Sequence, residues 1–286
     1  MTTLITGATG HLGRLAIEAL LDRGVDPATI VGSGRSVEKA ADLAARGVRI
    51  VAADYTDASS LDAAFAGVDR LVLVSSSEVG QRATQHQAVI DAAVRAGVQH
   101  LVYTSVLDAE DTALILAPEH KATEQAIRAS GIPFTFLRNG WYTENYAATI
   151  TQAAATGTVL TSAGEGRVSS ALRAEYAEAI AAVLTSEGHD GRVYELSGDT
   201  AWSFAELAGA IAEVAGTAVE LFSVSAEDHA AALSAAGLNA ATTGFLVALD
   251  GDIRAGLLDA TSGDLARLIG RPTMTLVDAV RAIHTA

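Results

Sequence analysis

Near the start of the chain, Gly7-Ala8-Thr9-Gly10-His11-Leu12-Gly13 joins a short apolar run to an amphipathic stretch. Three glycines at such a junction force a tight strand-to-helix turn with an open helix N-terminus. The spacing is G-x-x-G-x-x-G, one residue different from the G-x-G-x-x-G of many dinucleotide folds. Gly7 permits the turn, Gly10 lets the backbone approach a pyrophosphate, and Gly13 lets the helix pack against the sheet. An ordinary Gly-rich turn is the competing reading; its place at the first junction of an alternating series favours a nucleotide.

That series runs through the first half. Strands are predicted at Thr3–Thr6, Thr29–Gly32, Val48–Ala53, Arg70–Ser75, His100–Ser105 and Pro133–Arg138. Helices are predicted at His11–Arg23, Val37–Arg46, Ser60–Phe65, Gln81–Ala96 and Glu119–Ser130. Six strands separated by five helices predict an α/β, Rossmann-like, doubly wound parallel sheet. The strands are nearly continuous apolar runs, as burial on both faces requires. Gly24, Gly47, Gly67, Gly97 and Gly131 each follow a helix pattern, where a left-handed cap is expected. Beyond about residue 140 the rhythm changes to a helix (Glu144–Ala155), a Gly-rich turn (Ser162–Gly166), a helix (Arg173–Thr185), a strand (Val193–Ser197) and an Ala-rich, mostly helical remainder. The expected organisation is a dinucleotide-binding domain over 1–140, with a returning segment near 167–198, and a smaller lobe over 141–286, with a cleft between them.

Composition narrows the function. Half of the 286 residues are hydrophobic and only 19% are charged, which excludes a disordered chain. A net charge of −15 disfavours nucleic acid and anionic membranes outside a local basic pocket. There is no cysteine, hence no disulfide, thiolate nucleophile or Cys-based metal site. No run approaches the roughly 20 apolar residues of a membrane span. The opening MTTLITGATG reads as strand and turn, not as a signal peptide, so the cytoplasm is the default.

The second strand bears on which nucleotide. An NAD site usually ends that strand with Asp or Glu for the ribose 2′-hydroxyl. Here it runs Val31-Gly32-Ser33-Gly34-Arg35-Ser36, with a guanidinium and no acid. Arg35 can grip a 2′-phosphate in bidentate fashion, with help from Ser36 and Lys39. NADP is therefore expected, with NADPH preferred over NADH. Asp54 closes the third strand, where an adenine amino group would lie, or else caps the next helix. Ser75, Ser76 and Ser77 end the fourth strand beside the path of a nicotinamide ribose, or likewise cap a helix.

The sheet and turn resemble the short-chain dehydrogenase/reductase superfamily, most of whose members use Tyr-x-x-x-Lys. None of Tyr55, Tyr103, Tyr142, Tyr146, Tyr176 and Tyr194 has Lys four residues later. His120 and Glu124, one turn apart on a helix face, take the approximate places of that pair. A carboxylate cannot lower a tyrosine's pKa as a lysine does, so ordinary alcohol–ketone chemistry is not expected. Two ligands without a third nearby do not make a metal site. His120 is read as proton donor, cleft wall or surface residue.

Ser75-Ser76-Ser77-Glu78-Val79-Gly80-Gln81-Arg82 and Leu137-Arg138-Asn139-Gly140-Trp141-Tyr142-Thr143-Glu144-Asn145-Tyr146 closely resemble the flavin-free NAD(P)H:quinone oxidoreductase type 2 family, within the NmrA-like atypical short-chain group. The resemblance continues through Val193–Gly198 and Leu268–Pro272. It implies NADPH held by the glycine turn (Gly7, Ala8, Thr9, Gly10, His11, Leu12, Gly13), Arg35, the Ser75–Ser77 segment and the loop Asn139, Gly140, Trp141, Tyr142. It also implies two-electron reduction of a quinone in the cleft. His11 departs from the expected Gln, which leaves backbone binding untouched.

The aromatic distribution agrees. Five of the 14 aromatics fall between Phe134 and Tyr146. Phe134 and Phe136 alternate on a strand and read as core. Trp141, Tyr142, Asn145 and Tyr146 follow at the carboxyl edge of the sheet, where a flat ring can stack, unless they form an inter-lobe seam. Asn139 is expected to orient the carboxamide or a quinone oxygen. A hydroquinone anion is far less basic than an alkoxide, so no side-chain acid is expected to dominate. A non-catalytic NADP-binding redox sensor and a reductase of another flat conjugated acceptor stay open, as does a homodimer.

Overall fold

The computed structural model describes residues 1–285. The first half runs β1 (Thr3–Ile5), α1 (His11–Asp22), β2 (Ile30–Gly34), α2 (Ala41–Ala45), β3 (Arg49–Ala52), α3 (Ala58–Phe65), β4 (Arg70–Leu73), α4 (Arg82–Ala96), β5 (His100–Val106), α5 (Ala117–Ser130) and β6 (Phe134–Asn139). The second half follows with α6 (Ala147–Thr156), β7 (Thr158–Thr161), β8 (Arg167–Val168), α7 (Arg173–Thr185), β9 (Arg192–Leu196), β10 (Trp202–Ser203), α8 (Phe204–Ala215), β11 (Glu220–Ser223), α9 (Ala226–Ala235), α10 (Ala240–Arg254), α11 (Asp264–Ile269) and α12 (Leu276–His284).

Seven parallel strands form the main sheet in the order β3-β2-β1-β4-β5-β6-β9. Side chains alternate between its two cores, because strand neighbours point to opposite faces. On β1, Leu4 joins a cluster with Leu61, Phe65, Val89 and Ile127, whereas Ile5 joins Leu12, Ile17, Ile180 and Val183. α1 and α7 cover the second face; α3, α4 and α5 cover the first. The predicted left-handed helix ends are present; Gly97 and Gly131 close α4 and α5 with φ of +72° and +75°. The predicted helix over 37–46 divides into a 3-10 turn (Val37–Ala40) and the short α2.

A third core lies beside the sheet. Tyr146, Ile150, Trp202, Phe204, Leu207 and Ile253 pack together there, between α6, α8 and α10. Two small sheets edge it: β10 pairs antiparallel with β8, and β11 parallel with β7. The switch in strand order between β1 and β4 opens a crevice at the carboxyl ends, where ligands bind in such sheets. Among the described residues no helix is long and apolar enough to cross a membrane.

Candidate active site

A cleft of about 610 Å³ runs along that carboxyl edge, lined by the loops after β1, β2, β3, β4 and β6 and by the end of β5. At its floor the glycine turn enters α1. Gly7 has φ +65°, which permits the reversal. At Gly13 a β-carbon would come within 2.6 Å of the Thr6 carbonyl oxygen, so only glycine lets α1 sit this close to β1. Gly10 caps α1 without a side chain, which leaves first-turn amides facing the cleft beside Thr9, His11 and Leu12. Ala8 is a correction to the sequence reading. It is fully buried in the core, does not line the cleft, and its amide already donates to the Ser33 carbonyl at 2.9 Å.

Arg35, Ser36 and Lys39 line the cleft beyond β2. Arg35 is exposed and pairs with Glu78 at 3.0 Å, across the cleft mouth. Asp54 lines it too, and accepts from the Thr56 amide and hydroxyl at 2.9 and 2.8 Å. Asp57, not Asp54, caps α3, which removes the competing role for Asp54. Ser75, Ser76 and Ser77 line the cleft as well, and α4 takes Gln81 as its N-cap with no side-chain cap bond. The Ser75 amide donates to Thr104 Oγ1, and the Ser76 amide to His86 Nε2 at 3.0 Å.

At the other end stand His120, Asn139, Gly140, Trp141, Tyr142 and Asn145. His120 is buried, and its Nδ1 meets the Tyr103 hydroxyl at 2.7 Å. Burial pushes its pKa down to about 3, with Arg82 and His86 adding to the effect, so the ring is neutral. Glu124 does not work beside it. Its carboxylate accepts a bidentate bond from Arg138 at 2.9 and 2.8 Å and one from the Ser105 hydroxyl at 2.6 Å. Asn139 Nδ2 donates to Tyr142 Oη at 3.2 Å. Burial raises the Tyr142 pKa, and the Arg173 guanidinium lies 4.9 Å above its ring.

Tyr146 is a second correction. A 3-10 turn over Thr143–Tyr146 carries its ring out of the cleft and into the third core, 5.1 Å from Trp202 and 5.8 Å from Phe204. Conversely, Ser33, Tyr55, Glu78, Arg82, Gln85 and Leu116 line the cleft and went unassigned from sequence. Glu78 and Arg82 lie inside the motif Ser75–Arg82, which was the available signal for them.

Five buried polar atoms of the lining have no partner among the described residues: Ser33 Oγ, Ser76 Oγ, Gln85 Oε1, Asn139 Oδ1 and Trp141 Nε1. Buried polar groups are normally satisfied, so this set suits a polar ligand. The lining carries Arg35, Lys39, Arg82 and Arg173 against Asp54 and Glu78, a local cationic excess in an acidic molecule. Both features fit a phosphate-bearing dinucleotide.

The profile of the NmrA-like family matches residues 1–237. The chain belongs to the NmrA-like family. Among its relatives, quinone oxidoreductase 2 of Escherichia coli (strain K12) is 46% identical over 277 residues, covering 96% of each chain. The crystal structure of the E. coli NADPH-dependent quinone oxidoreductase complexed with NADPH superposes with a TM-score of 0.94 at 45% identity, over 99% of both chains. Triphenylmethane reductase from Citrobacter sp., complexed with NADP(H), gives 0.94 at 39% identity, over 99% of this NmrA-like chain and 100% of that one.

Proposed function

We propose that this chain is an NADPH-dependent reductase that takes quinones to hydroquinones by direct two-electron transfer, without flavin. The observation that carries the reading is one continuous cleft joining an uncapped glycine turn and a cationic strand end to an aromatic wall. The likeness to E. coli quinone oxidoreductase 2 supports it.

The residues divide the work. Gly7, Thr9, Gly10, His11, Leu12 and Gly13 hold the pyrophosphate through amides and the helix N-terminus. Arg35, with Lys39, takes the 2′-phosphate, and Asp54 the adenine edge. Ser75, Ser76 and Ser77 meet the nicotinamide ribose. Asn139 donates one Nδ2 hydrogen to Tyr142 and leaves Oδ1 unpartnered among the described residues, which suits a carboxamide N–H. Trp141, Tyr142 and Asn145 form the wall against which the acceptor ring stacks. When bound, NADPH supplies a hydride, which with one solvent proton converts quinone to hydroquinone. The protein's part is to hold donor and acceptor about 3–3.5 Å apart. Residues 1–140, with the returning segment near 167–198, serve the cofactor, and 141–286 the acceptor side. Cytoplasmic placement and a homodimer belong to the same reading; cell fractionation and sedimentation test them.

Trp141→Ala tests the acceptor wall. It should raise the quinone KM, or lower kcat/KM, while NADPH affinity stays near wild type. Loss of NADPH binding alone would make this loop a cofactor clamp. The likeness to triphenylmethane reductase makes a triphenylmethane dye a useful second acceptor in the same assay.

A further inference from the structure

Tyr103 and His120 meet where the cleft gives way to the core. Tyr103 is fully buried on β5, edge-on to His86 at 5.5 Å and to Phe136 at 6.3 Å. Among the described residues its hydroxyl has one partner in hydrogen-bonding geometry, His120 Nδ1 at 2.7 Å. Among the described residues the His120 ring makes a hydrogen bond through Nδ1 and none through Nε2, and His120 lines the cleft.

A neutral imidazole carries one N–H, and the bond made by one nitrogen decides where it sits. His120 is neutral for the reason given above, and burial raises the Tyr103 pKa so that the phenol keeps its proton. The neighbouring hydrogens can be counted. The Ser76 amide donates to His86 Nε2, so the His86 hydrogen is on Nδ1, which donates to Thr123 Oγ1 at 3.0 Å. Thr123, the other hydroxyl beside Tyr103, donates in turn to the Glu119 carbonyl at 2.8 Å. The Tyr103 hydrogen then goes to His120 Nδ1, and the hydrogen of this cleft-lining ring is left on Nε2.

We propose that Tyr103 is a positioning residue that fixes His120 as the Nε2–H tautomer, and that His120 donates a neutral hydrogen bond to the acceptor oxygen without giving up its proton. The proposal rests on the quinone-reductase reading. As the acceptor is reduced, negative charge builds on its oxygen. The Nε2–H bond strengthens as that charge develops, and the proton completing the hydroquinone comes from solvent.

The test uses the full chain with NADP⁺ bound and ¹⁵N-labelled histidine imidazoles, the His120 signals being assigned by their loss in His120→Gln. Nitrogen shifts should show Nε2 protonated and Nδ1 accepting. Tyr103→Phe should move the Nδ1 signal and lower kcat roughly fivefold, about what one neutral hydrogen bond is worth, with little change in quinone KM. His120→Ala should cost no more than roughly tenfold in kcat, below the range of general acid catalysis. In the His120→Ala background Tyr103→Phe should add nothing, since it acts only through the imidazole. His120→Gln, which keeps an N–H donor, should retain more activity than His120→Ala. An Nδ1-protonated ring in the unmodified chain would overturn the proposal. So would an equal fall from Tyr103→Phe in both backgrounds, or a hundredfold loss in His120→Ala. If Tyr103→Phe does not fold, the spectrum of the unmodified chain and the two His120 variants still decide. A chain with no quinone-dependent turnover would overturn the functional reading, while the spectrum would still fix the tautomer.

Discussion

On the proposed assignment, Arg35 and Glu78 together set the cofactor preference. Glu78 lies 3.0 Å from the guanidinium, and a 2′-phosphate must compete with it for that cation. Arg35→Asp should weaken NADPH binding far more than NADH binding; losing one charged partner costs about 1.5–3 kcal/mol, toward the lower figure because the group is exposed. Glu78→Gln should do the reverse. An exposed pair contributes about 0–1 kcal/mol, so NADPH should tighten by no more than about fivefold, with NADH nearly unchanged. Calorimetric titration of both nucleotides checks both variants, and equal NADPH affinity throughout would contradict the assignment. Arg35 was legible in the sequence because an acid is missing where the second strand ends. Its contact with Glu78 was not, because the two lie 43 positions apart and meet only through the strand order.

At the scale of elements, the junction of β1 and α1 is the least tolerant part of the cleft. A methyl at Gly13 would press on the backbone carbonyls of Thr6 and Gly7. Gly13→Ala should therefore shift α1 off the sheet, cost about 1–3 kcal/mol and abolish tight NADPH binding. Urea midpoints and nucleotide titration measure the two effects; wild-type values for both would contradict it. This junction was legible because glycine spacing has few physical meanings. The main strands were legible because their short apolar runs alternate regularly with helix patterns. The strands β7, β8, β10 and β11 were not, since each lies outside the regular strand–helix alternation and has no period of its own. Tyr146 was misplaced for a related reason. A run of aromatics after a strand looks like one wall until the 3-10 turn at Thr143–Tyr146 sends its last ring into another core.

For the whole molecule, the neutral buried histidines bring an acid limit. Burial first, then the nearby Arg82, pushes the pKa of His86 to about 3; burial, Arg82 and His86 do the same for His120. The unfolded chain takes up those protons near the ordinary histidine pKa of about 6.5, whereas the folded chain resists them until about 3. Stability is therefore intact above about 6.5 and falls as pH drops below it, by about 1.4 kcal/mol per pH unit for each histidine. Urea unfolding at pH 7.5, 6.0 and 5.0 should show that decline, and a flat profile would contradict the burial of both rings. On the proposed function, this polypeptide and NADPH suffice to reduce a quinone. Anaerobic mixing of purified protein with NADPH and a quinone panel, with flavin content measured in the same sample, tests it most directly. The expected result is one hydroquinone formed per NADPH oxidised by protein free of flavin. NADPH bound but never oxidised, or turnover that appears only when flavin is added, would contradict it.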